Sequence, residues 1–166
     1  MGWFTRNRRP QDAPPATPTA PVSDPGESPD ALRRRVAELN GFVNANAGRL
    51  PAAAVVSARH LTDTLREIID TSDIRPLDVY AAMAVTGTLG DYLPTTLRSY
   101  LAIDADLRET PRGSGRTPTQ SLLEQIDDLQ TSASATLVAA RNQDADALMT
   151  QGNFLRTKFS RSDLDL

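Results

Sequence analysis

Cysteine is absent from the 166-residue chain, so disulfides and thiolate metal sites are excluded. Aromatic residues make up only 5% of the sequence, and a core must therefore come from Ala, Leu, Val and Ile. Such residues favour closely approaching helices. His60 is the sole histidine and Lys158 the sole lysine. With one imidazole and no thiol, most nucleophile–base–orienter triads cannot be assembled. Apolar runs fall short of the roughly 18–20 residues that cross a bilayer. The basic start of the chain has no apolar h-region behind it, so Arg8-Arg9 is not an export signal, and a cytoplasmic location is expected. A net charge of −3 gives no general pull toward nucleic acid, and none is expected as a partner.

What is present is unevenly distributed. Residues 1–27 read as a leader, 28–160 as a helical domain and 161–166 as a tail. The first ten residues hold three arginines, no acid and the only tryptophan. Trp3 and Phe4 beside Arg6, Arg8 and Arg9 suit a peripheral contact with an anionic membrane surface. From Gln11 onward, proline alternates with Ala, Thr, Ser and Asp. That composition cannot bury enough apolar surface to offset its ordering entropy, and it predicts a disordered tether.

Order is expected from Ser28, an N-cap followed by Pro29 and Asp30. Leu32, Val36, Leu39 and Val43 then recur at helical spacing in a first helix that ends before Gly48. A second helix opens at Pro51 and carries Ala54, Val55, Ala58, Leu61, Leu65, Ile68 and Ile69, with His60 on its polar face. A third runs through Leu77, Tyr80, Met83, Ala84, Gly87 and Leu89, where Gly87 and Gly90 leave room for a neighbouring helix. The stretch Tyr92-Leu93-Pro94-Thr95-Thr96-Leu97-Arg98-Ser99-Tyr100 predicts a buried helix-break-helix corner. Pro94 lacks an amide hydrogen and pushes Leu93 toward extended geometry, while Thr95 or Thr96 caps a new helix ending near Leu107. One long helix from about Thr119 to Phe159 completes an elongated all-α bundle of four to five helices. Its stripe of Leu122, Ile126, Leu129, Ala133, Leu137, Ala140, Leu148, Leu155 and Phe159 suits a bundle spine or coiled-coil arm.

Chemistry is thinly signalled. Glu124, Asp127, Asp128, Asp144 and Asp146 make the long helix acidic, and Glu124 and Asp128 share a face. Bundle metal sites add a Glu-x-x-His element, absent here, so neither metal nor cofactor is expected. Arg112 and Arg116 flank two glycines just before a helix start, a place where anions can bind. The spacing is not that of a nucleotide phosphate loop.

Tyr92-Leu93-Pro94-Thr95-Thr96-Leu97, followed by Tyr100-Leu101, resembles the central motif of the XpaC-like family. That family carries the label bromo-chloro-indolyl phosphate hydrolysis protein and is linked to toxic-anion (tellurite) resistance. The resemblance implies a helical protein, cytoplasmic or peripheral to the membrane. The residues present supply no recognisable phosphatase site, and no catalytic residue is assigned. The expected function is a non-catalytic adaptor that docks a partner, or itself, through the last helix. The alternatives are a small anion-handling protein or phosphate-ester hydrolase using Arg98, Arg112 and Arg116, and a structural subunit of a larger assembly.

Overall fold

The computed structural model describes residues 28–113 and 115–162, the side chains of 147, 148 and 150–162 excepted. Trp3, Phe4, Arg6, Arg8 and Arg9 lie outside the described residues, as does the tail from 163. The elements are α1 (Pro29–Ala45), α2 (Ala52–Thr71), α3 (Val79–Gly87), a π turn (Thr88–Tyr92), α4 (Leu93–Leu101), a 3-10 turn (Ala105–Leu107) and α5 (Pro118–Ser162). No strand occurs among the described residues. The fold is an all-α bundle in which α3, the π turn and α4 form one composite rod.

Direction alternates from rod to rod. Thr62 of α2 donates to Asn40 of α1, and Arg33 near the start of α1 meets Asp70 near the end of α2, so these two run antiparallel. Gln143 donates to Asp78 and Thr96 to Gln125, which sets α5 antiparallel to the composite rod. The core fills from all four rods: Leu32 and Val36, Leu61, Leu65 and Ile68, Leu93 and Leu97, then Leu122 and Ile126. Each large apolar side chain fully buried there contributes about 1.5–3 kcal/mol.

Local signals explain where the rods begin. Ser28 Oγ accepts from the Ala31 amide at 3.3 Å, closing α1. Asp78 Oδ1 accepts from the amides of Tyr80 and Ala81 at 2.8 and 2.9 Å, closing α3. Arg108 donates to the carbonyls of Ile103, Leu101 and Arg49 and stacks 4.8 Å from the Tyr100 ring centroid. One guanidinium thereby satisfies the end of α4 and ties it to the α1–α2 connection.

The expected break at Pro94 is not a break. Leu93 keeps helical angles, φ −67° and ψ −45°, and its amide bonds back to the Thr88 carbonyl five residues earlier. A proline ring strikes the carbonyl four residues before it, and one widened turn makes room for the ring without ending the rod. The Thr95 hydroxyl therefore has no cap to form and donates to Asp91 Oδ1 at 3.1 Å. Leu93, Pro94, Leu97 and Tyr100 are buried as expected, but Tyr92 is 56% exposed.

α3 brings a second correction. Its inward residues are Ala81 and Val85, whereas Tyr80 is 82% and Met83 68% exposed. In the segment VYAAMAVTG polar groups are nearly missing, so no face is marked for the core. The glycines do not admit a neighbouring helix backbone either. A Cβ at Gly87 would lie 3.0 Å from the Tyr92 ring, and one at Gly90 would lie 3.7 Å from the Arg35 guanidinium. α4 stops at Leu101 rather than Leu107, leaving only the 3-10 turn beyond it.

Candidate functional site

The widened turn has a geometric consequence. It carries Asp91 and Tyr92 outward beside α5, and a groove of about 330 Å³ opens there. Its walls are Tyr92 and Thr95 from the composite rod, with Gln125 and Leu129 from α5; Asp91 and Asp128 complete the lining. The volume sits at the small end of ligand-sized pockets. Neither Asp91 nor Asp128 has an ion-pair partner among the described residues.

An apolar strip leads toward this groove. Val79, Tyr80 and Met83 lie exposed along α3, and the Tyr92 ring folds over Gly87 to prolong the strip. Met83 and Gly87 are one helical step of four apart, so they share a face. The strip starts beside Asp78. Amides of Ala81 and Tyr80, the Gln143 amide and the nearby Arg75 hold that carboxyl below its ordinary value, although partial burial opposes them.

The two loop arginines line one groove. Arg112 and Arg116 line a second groove of about 210 Å³ with Ser121 and Gln125 beside the start of α5. Gly115 supports the hairpin-like connection with φ +76°, a left-handed conformation suited to glycine. Its amide donates to the Arg112 carbonyl at 2.6 Å, and the Arg112 amide donates to the Arg116 carbonyl. Arg116 also pairs with Glu124 at 2.6 Å, so an incoming anion would compete with a carboxylate already in place. Glu124 thus faces the loop rather than forming a pair with Asp128.

Asp144 pairs with Arg75 at 2.9 Å. His60 is exposed on α2, and Arg98 lies 5.6 Å over the Phe42 ring centroid, away from both arginines of the loop. No cluster of three or more His, Cys, Asp or Glu suited to a metal occurs among the described residues. None of the helices searched is long and apolar enough to cross a membrane.

Sequence reasoning missed the groove. Asp91, Gln125 and Leu129 are ordinary helical residues on two segments, and only the widened turn brings them into one wall. The usable signal was Pro94 in a continuous apolar segment, two residues after an aromatic. Comparison of the chain with protein-family models, curated proteins and solved structures finds no match.

Proposed function

We propose that the protein is a helical adaptor that docks a partner helix, or a second copy of itself, through the last part of α5. The observation that supports this is the mismatch between α5 and the rest of the bundle. Arg75 reaches Gln143 and Asp144, beside the Asp78 start of α3, marking one end of the packed region. α5 continues to Ser162, about 27 Å farther at 1.5 Å per residue. In sequence register, Leu148 follows Leu137 by eleven positions, and Leu155 and Phe159 follow by seven and four. The apolar stripe of the packed region therefore continues in register past Asp144. Met149 in the same stretch is 67% exposed.

Trp3, Phe4, Arg6, Arg8 and Arg9 are the groups with the chemistry for an anionic membrane surface, giving such an adaptor a peripheral membrane contact. The direct test compares the full chain with a Leu155→Lys, Phe159→Lys variant. Light scattering reads self-association, and quantitative pull-down from the source cells reads other partners. The variant is expected to keep wild-type helicity by circular dichroism while losing the wild-type complex. Identical masses and identical captured proteins for the two chains would overturn the reading.

A further inference from the structure

The groove beside the π turn combines an apolar floor with an acidic lining. Tyr92 and Leu129 offer apolar surface, and Asp91 and Asp128 bring negative charge without ion-pair partners among the described residues. That combination selects among occupants. An anionic lipid surface would be repelled by the two carboxylates. A second copy packed groove to groove about a two-fold axis would set like charges against like. The fitting occupant is aromatic and cationic. The chain carries two such segments, Trp3-Phe4-Thr5-Arg6-Asn7-Arg8-Arg9, with no acid among its first ten residues, and Phe154 to Arg161. The second belongs to α5 itself, about 38 Å of helix rise beyond Leu129, and cannot turn back onto the groove of its own helix, which leaves the first.

We propose that this groove is a docking site for the chain's own Trp3-Phe4 pair, with Arg6, Arg8 and Arg9 set against Asp91 and Asp128. The reach is sufficient. Arg35 of α1 lies level with Gly90, and Ser28 precedes it by about 10 Å of helix rise. At most two helix spacings of about 8–10 Å lie across the bundle, so Ser28 stands about 20–25 Å from the groove. Residues 11–27 can span up to about 56–60 Å, well over that distance.

The contacts match in kind as well. Asp128 and Gln125 offer acceptors for an indole N–H, and Met83, exposed on the strip that leads to the groove, offers a thioether side chain for an aromatic ring. Attachment to the same chain presents the segment at an effective concentration on the order of mM, so modest affinity suffices for docking. The assignment does not depend on what α5 binds.

Trp3 is the only tryptophan, and its emission therefore reports docking directly. The dilute full chain is expected to emit to the blue of a Met1–Asp12 peptide and to resist acrylamide quenching. Tyr92→Ser and Asp128→Lys, each at an exposed position and checked for helicity by circular dichroism, are expected to return emission and quenching to those of the peptide. Peptide-like emission from the unaltered chain would overturn the proposal, as would a blue shift that survives both substitutions. A shift that grows with protein concentration would assign the groove to the leader of a second copy and overturn docking within one chain. A further measurement needs no groove variant: labelled Met1–Asp12 peptide added to the full-length Trp3→Ala, Phe4→Ala chain is expected to bind with a dissociation constant on the order of mM or tighter. No binding there would also overturn it.

Discussion

Asp78 closes the amide end of α3 with one carboxylate oxygen and meets Gln143 of α5 with the other. A carboxyl held below its ordinary value contributes stability above the unfolded pKa of about 4, and that contribution is lost as pH falls through the lower folded value. Asp78→Ala removes the cap and is expected to cost about 0.5–2 kcal/mol at neutral pH, with a flatter acid limb in urea melts run from neutral pH to pH 3. Asp78→Asn keeps a capping oxygen and should cost less, yet flatten the acid limb to the same degree. If Asp78→Ala left both the midpoint and the acid limb unchanged, the cap would have no part in holding α3. Ser28 and Asp78 also show what single residues reveal in advance. The Ser28 cap was legible because Pro29 and Asp30 follow it, whereas Asp78 has Leu77 before it and an apolar run after it, with no neighbouring residue to mark it as a cap.

At the scale of elements, the rods were legible and their faces only partly so. α1, α2 and the packed part of α5 have polar residues opposite apolar ones, and the predicted stripes are the buried ones, with Val55 and Leu129 only half-buried: Leu32 to Val43, Ala54 to Ile69, Leu122 to Ala140. α3 lacks that contrast, so spacing could not tell Ala81 and Val85 from Tyr80 and Met83. The Pro94 segment failed for another reason. Local preference for a break competes with burying Leu93 and Leu97 completely, at about 1.5–3 kcal/mol each, and burial wins by widening one turn. Gly87 is fitted to that turn. Gly87→Ala gains helix propensity of about 1 kcal/mol, and the half-exposed Tyr92 ring can shift by the few tenths of an ångström required. The expected result is a melting temperature higher by about 3–5 °C, together with weaker Trp3 shielding because the groove wall has moved. A lower melting temperature would mean that the Tyr92 ring is fixed more firmly than its exposure implies.

For the whole molecule, the same five side chains have two possible surfaces, the groove and a lipid headgroup layer, and one segment cannot occupy both. Each arginine near an anionic surface contributes about 1 kcal/mol, so Arg6, Arg8 and Arg9 together give about 3 kcal/mol, or a roughly 150-fold preference for anionic over neutral vesicles. Docking on Asp91 and Asp128 draws on those same charges and lowers the fraction of chains ready to bind lipid. Tyr92→Ser weakens the groove without changing net charge, so it separates this competition from simple electrostatics. In co-sedimentation with anionic vesicles, the Tyr92→Ser chain is expected to pellet at lower lipid concentration than the unaltered chain. The Trp3→Ala, Phe4→Ala chain should need more lipid than either, since it has lost the apolar part of the contact. Raising salt should weaken all three, because exposed charges separated by more than about 8–10 Å are screened at physiological ionic strength. Equal pelleting of the Tyr92→Ser and unaltered chains would show that groove and membrane do not compete. Equal pelleting of the Trp3→Ala, Phe4→Ala chain with both would remove the leader from lipid binding.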